Sequence, residues 1–127
     1  MNASPTHAIT VKVETRYLRE QSDPSASRYA FAYTVNIHNE GAVTAQLIDR
    51  KWIITDGNGE VQEVEGPGVV GEQPVLEPGA SHTYSSGCLL PTPVGTMQGS
   101  YGMRAEDQHE FRAEIPLFRL AQPNALN

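Results

Sequence analysis

Tyr29, Phe31, Tyr33, Val35 and Ile37 occupy every second position of one segment, with Ala30, Ala32, Thr34 and Asn36 between them. A repeat of two residues puts one set of side chains on each face of an extended strand, and large β-formers concentrated on one face require a buried partner surface. The same alternation runs through Ile9, Val11, Val13, Thr15 and Tyr17, separated by Thr10, Lys12, Glu14 and Arg16. These two segments rule out a helical chain and set the pattern for the rest.

The remaining segments are short and end at turn residues. Asn39-Glu40-Gly41 turns the chain into Ala45 to Thr55, which carries Leu47, Ile48, Trp52, Ile53 and Ile54 and stops at Asp56-Gly57-Asn58-Gly59, a hairpin signal. Further strands are expected over Glu60 to Val64, Ser81 to Leu89 and Thr96 to Ala105, with turns at Pro78-Gly79 and Pro91-Thr92-Pro93. Glu106-Asp107-Gln108 turns back into Phe111, Ala113 and Ile115. Pro116 then makes the end of that strand an edge or a bulge, and Phe118 and Leu120 close the core. Loose order is expected only at the termini and over Gln21 to Ser27. Seven or eight strands without an amphipathic helix predict an all-β fold, an antiparallel sandwich of immunoglobulin-like or fibronectin type III-like form. Trp52 suits the large buried aromatic of such sandwiches; with one cysteine there is no antibody-type disulfide. At 127 residues the chain reads as one domain, 1–127.

Charge narrows the function. Fifteen acidic against nine basic residues give a net charge of -6, which disfavours nucleic acid and anionic membrane as partners. Between Lys51 and Arg104 there is no Lys or Arg, whereas Asp56, Glu60, Glu63, Glu65, Glu72 and Glu77 lie there. The lone Cys88, the absence of a signal-like start and the lack of an apolar run of about 18 residues predict a cytoplasmic protein outside the membrane.

Within the acidic stretch, Gly66-Pro67-Gly68-Val69-Val70-Gly71 matches a dinucleotide-binding glycine pattern. That pattern needs a following helix whose first amides and dipole meet the phosphate. Here Glu72-Gln73-Pro74 follows instead, so Gly66, Gly68 and Gly71 are expected chiefly to shape a loop. Two functional readings stay beside that one: a nest of backbone amides for pyrophosphate, or a loop that docks a protein. An anion there would have to borrow charge through the fold from Lys12, Arg16, Arg28, Arg50 or Arg104.

Catalytic groups are scarce. Cys88 and His82 share a face of one strand but stand about 20 Å apart at ~3.3 Å per residue, too far for a dyad. Nothing in the spacing of His7, His38 or His109 brings them to Cys88, which reads as a buried structural thiol. Glu63 and Glu65 share a strand face while Glu60 points away, and with Asp56 they lack calcium-loop spacing; a solvated acidic face is expected, not a metal site. The reading is a non-enzyme without cofactor. Its function is protein-protein interaction through loops or sheet edges, with an unidentified protein partner and edges that could also pair two copies. Val69 and Val70 are expected to be exposed in the glycine loop as the docking residues. Met97, Tyr101 and Met103 are further candidates whose plainer role is core burial.

Several blocks carry a family resemblance in order: Tyr33-Thr34-Val35-Asn36-Ile37, Asn39-Glu40-Gly41, Arg50 to Asp56, Glu63 to Pro74, Leu76-Glu77-Pro78-Gly79, Tyr84 to Leu89, Thr92 to Tyr101 and Ile115 to Leu120. Together they span nearly the whole chain and resemble the ApaG family. The resemblance implies a fibronectin type III-like sandwich in a small bacterial protein whose biochemical role the family leaves undefined. Similar domains occur in F-box substrate receptors and a DNA polymerase-interacting protein, where they are read as partner-binding. The family's gene neighbourhood with a dinucleoside tetraphosphate hydrolase, and its link to cobalt and magnesium tolerance, supply the alternative of weak pyrophosphate, nucleotide or divalent-cation binding.

Overall fold

The computed structural model describes residues 6–123; the expected looseness at residues 1–5 and 124–127 lies outside the described residues. Eight strands follow one another: β1 (Ile9–Tyr17), β2 (Tyr29–Asn39), β3 (Ala45–Asp56), β4 (Val61–Pro67), β5 (Val75–Leu76), β6 (Ser81–Leu90), β7 (Val94–Ala105) and β8 (Glu110–Ala121). They form two antiparallel sheets. One has the order β1-β2-β6; the other has the order β4-β3-β7-β8, with the short β5 paired to the start of β3. The sandwich expected from the alternation is therefore present. Among the described residues no helix is long and apolar enough to cross a membrane.

Strand β2 is central in its sheet, which accounts for its aromatic content. Phe31, Tyr33, Val35 and Ile37 all turn inward and are buried. They meet Leu47, Trp52, Met97, Tyr101, Met103, Ile115 and Leu120 from the second sheet. Trp52 sits at the middle of this layer, edge-on to Tyr33, Tyr101 and Phe118 at ring-centre separations of 5.4, 6.3 and 5.8 Å. Such arrangements bring the positive edge of one ring to the negative face of another. The outer face of the first sheet is polar: Thr34 bonds Ser85, Asn36 bonds Thr83 and His38 bonds Ser81 across the β2–β6 pairing.

Two irregularities set the register. Between Leu47 and Asp49 the β3–β7 pairing slips, placing an extra residue at Ile48. Before the slip Leu47 points inward; after it Trp52 does, five residues on, a spacing that unbroken alternation forbids. The second slip, between Met97 and Gly99, lies opposite Pro116 and Leu117 as β8 passes along the edge of its sheet, where a residue without an N–H is tolerated.

The expectation of a loose segment over Gln21 to Ser27 is corrected by the structure. Short 3-10 turns, Arg19–Gln21 and Pro24–Ala26, flank Ser22. The Ser22 hydroxyl donates to the Leu18 carbonyl and accepts from the Ala30 amide, both at 2.8 Å. Asp23 and Arg28 pair their backbones across the end of this segment. Local side-chain bonds replace the missing apolar anchors.

Candidate functional site

The glycine segment is divided between a strand end and a tight turn. Gly66 and Pro67 belong to β4, opposite Arg50 and Asp49 of β3. Val69 and Glu72 then exchange both backbone hydrogen bonds, at 2.8 and 3.0 Å. The two residues between them, Val70 and Gly71, have φ of 47° and 79°. This is a type I′ turn, which needs positive φ at both central positions and prefers glycine at the second. The Gly68 amide donates to the Ile48 carbonyl at 2.9 Å. The amides of Gly68, Val69 and Glu72 are thus directed at protein carbonyls, and the geometry here is that of a hairpin.

Val69 and Val70 part company in this turn. Val70 is 65% exposed, as expected of a docking residue, but Val69 is 0% exposed and packs in the core. The expectation that both face solvent is corrected for Val69, because the two residues at the start of the turn point to opposite sides. Met97, Tyr101 and Met103 are likewise buried and serve the core.

Arg50 gives Gly66 its role. A Cβ at Gly66 would stand 2.9 to 3.1 Å from the Arg50 guanidinium, so a larger residue there would make the arginine side chain shift. Nη1 of Arg50 donates to the Pro67 and Gly68 carbonyls at 2.9 and 3.1 Å. Among the described residues Arg50 forms no ion pair, and its Nη2 and Nε have no hydrogen-bond partner. Its neighbour Lys51 turns to the outer face, where its Nζ lies 3.9 and 3.8 Å from Glu63 and Glu65. Those two carboxylates do share a face, as expected. Among the described residues no group of three or more His, Cys, Asp or Glu side chains is placed to hold a metal.

Arg50 stands at one end of a cleft of about 360 Å³ where the sandwich is open at its side. The walls are β4 and β6, each hydrogen-bonded on one edge only among the described residues. Tyr33, Trp52, Ile54, Val64 and Met97 form its apolar floor, and Ser86, Cys88 and Gln62 line it. It continues past Leu89 into a hollow of about 280 Å³ bounded by Val61, Leu90 and Pro91. Val61 and Leu89, each 60% exposed, stand at that mouth. The opposite side of the sandwich is where β1 packs against β8.

Burial governs the titratable groups around the cleft. Loss of water pushes the Cys88 thiol up to about 11 and the Tyr84 hydroxyl up to about 12. Tyr101 is raised further, by burial first and then by Tyr84, whose hydroxyl it meets at 2.5 Å. Arg50 acts against these shifts at Tyr33, Tyr84 and Tyr101, so its charge is felt through the sandwich. A thiol held protonated is a poor nucleophile. His82, at the far end of β6 from Cys88, has its Nε2 buried without a hydrogen bond, 3.8 Å from the Glu72 carboxylate. His38 bonds Ser81, while His7 bonds Asp107 and stacks on His109 at 4.2 Å. Among the described residues no histidine bonds Cys88.

Sequence reasoning listed Arg50 only among several cations and did not place it in a site. The signal was its spacing from Trp52: two residues apart on one strand, the two share a face.

The ApaG domain family matches residues 19–105. The chain belongs to the ApaG family. A relative named Protein ApaG from Azotobacter vinelandii is 61% identical over 98% of this chain and 99% of its own length. Another of that name from Pseudomonas putida is 59% identical with the same coverage. Among solved structures, a Bordetella pertussis protein designated ApaA superposes with a TM-score of 0.94 at 52% identity, covering 97% of this chain and 100% of that one. The ApaG resemblance of the ordered sequence blocks is thereby established.

Proposed function

We propose that this ApaG-family protein is a non-catalytic recognition module that takes up an extended segment of a protein partner in the cleft between β4 and β6. The strand order is read as fibronectin type III-like, a scaffold that leaves such edges available. One observation carries the proposal: two strands with unpaired edges flank an apolar-floored cleft, with Val61 and Leu89 exposed at its mouth. An unpaired edge offers main-chain donors and acceptors to an added strand, and side-chain pockets supply selectivity. The seven residues of β4 give room for about six extended residues at ~3.3 Å each.

The test is selection from a library of random nonapeptides displayed with free C termini, followed by titration of selected peptides into ¹⁵N-labelled protein. Shifts concentrated at 61–67 and 81–90, with at least a tenfold affinity loss for Val61→Asp and Leu89→Asp, are expected. Both side chains are exposed, so these variants keep the fold. Selected peptides that shift other strands, or a library that yields no binder, refute the proposal.

A further inference from the structure

We infer that Arg50 receives the C-terminal carboxylate of the bound segment, so that the cleft selects a free chain end. This rests on the recognition role proposed above and specifies which part of a partner fits.

The first argument is the cation itself. A guanidinium carries five N–H donors, and Arg50 commits Nη1 to the Pro67 and Gly68 carbonyls. The Nη2 and Nε donors, which together match the two oxygens of a carboxylate, have no partner among the described residues. A charge beside an apolar floor that excludes water from one side gains more from an anion than a solvated surface cation does. Gly66, opposite Arg50 in the β3–β4 pair, leaves the guanidinium room at the end of the cleft. The nearby acidic face does not cancel it: Glu63 and Glu65 lie on the outer side of β4, and Lys51 stands between them.

The second argument is the shape of the cleft. At the Val61 and Leu89 end it runs on into the second hollow. At the Arg50 end the chain crosses from one sheet toward the other: Gly68 is bonded to Ile48 of β3, Val69 is buried, and the Glu72 carboxylate lies 3.8 Å from His82 of β6. An occupant laid along the edges meets a wall there and has to end. Arg50, bonded to the first two carbonyls of that wall, is where it ends. Gln62 and Leu89 line the open mouth, whereas Gly66 is opposite Arg50 and His82 of β6 lies by Glu72 at the closed end. A segment with its C terminus at Arg50 therefore runs antiparallel to β6, the pairing that adjacent strands of this sheet already use. Its last side chains face Trp52, Val64 and Met97, so apolar residues are expected there.

The probe is a pair of synthetic nonapeptide libraries lacking Asp and Glu, identical except that one ends in a free acid and the other in an amide. Binding at the cleft is read from shifts at 61–67 and 81–90. Free-acid peptides with apolar final residues are expected to bind at least tenfold tighter than their amides on the unaltered protein. Arg50→Gln is expected to abolish that difference, and Arg50→Lys to restore part of it. Equal binding of acid and amide at the cleft overturns the inference and leaves the recognition role standing. Amidated peptides carrying an internal Asp that bind as tightly as free acids also overturn it, in favour of a side-chain carboxylate. Failure of both libraries to shift the cleft refutes the recognition role and the inference with it.

Discussion

Replacing Val70 by Asn is expected to stabilise this protein. Val70 is a β-branched residue with φ of 47°, at the first central position of a type I′ turn. A left-handed conformation costs an L-residue about 1 to 2 kcal/mol, with β-branched residues at the upper end. Asn relieves most of that, because its short polar side chain tolerates the region, and Asn-Gly is the preferred pair for this turn. The opposing loss is small: Val70 is 65% exposed, so about a third of a valine's burial value of ~2 kcal/mol, some 0.7 kcal/mol, is forfeited. The balance is a gain of about 1 kcal/mol. For a chain of 127 residues with an unfolding entropy of ~2.1 cal/mol/K per residue, that is roughly 4 °C in Tm. Gly71→Ala is the companion variant: an added Cβ there meets nothing within 4 Å, so its expected loss of about 1 kcal/mol is backbone strain alone. Calorimetry on the three proteins checks both signs. An unchanged or lowered Tm for Val70→Asn, or an unchanged one for Gly71→Ala, refutes the account of this turn.

Val69→Asp, by contrast, is expected to prevent folding, and Val69→Ala to cost about 2 kcal/mol in urea unfolding, since Val69 has no exposed surface. Gly99→Ala is expected to lose more than about 3 kcal/mol, because a Cβ there overlaps the Lys51 carbonyl across the β3–β7 pair. Tyr84→Phe is expected to cost about 1 to 3 kcal/mol by leaving the buried Tyr101 hydroxyl unpaired, and Tyr84→Phe with Tyr101→Phe less than the sum of the single losses. Stability is also expected to fall at alkaline pH. The Cys88 thiol is raised from 9.0 to about 11 and the Tyr84 hydroxyl from 10.0 to about 12, so the unfolded chain releases protons first. Their contribution is whole below pH 9 and is lost between about pH 9 and 12; urea midpoints that stay flat over that window refute it.

Much of the architecture was legible in the sequence because side-chain alternation states directly which residues need cover. The β1 and β2 segments and the Asp56 to Gly59 hairpin came out as read, and Asp56 Oδ1 accepts the amides of Asn58 and Glu60 as such a turn requires. Pro116 marks the irregularity of the edge strand β8 that its missing N–H predicts. Val75–Leu76 was not seen, since two residues carry no period. The candidate site was less legible. Val69 and Val70 look alike in sequence, and only the turn geometry separates a buried side chain from an exposed one. Arg50 shares the face of Trp52 by simple alternation, but that it has a cleft beside it depends on the β4 and β6 edges lying apart, which the pattern of one strand does not encode.

The slip at Ile48 gives β3 one residue of slack. Removing Ile48 would close the bulge and leave Leu47 opposite Met103 and Asp49 opposite Gly102, so Arg50, Trp52 and Ile54 would still point between the sheets. A one-residue deletion at the bulge would thus keep the central indole and the cleft, whereas deleting Ile53, where no bulge can close, would turn Ile54 outward.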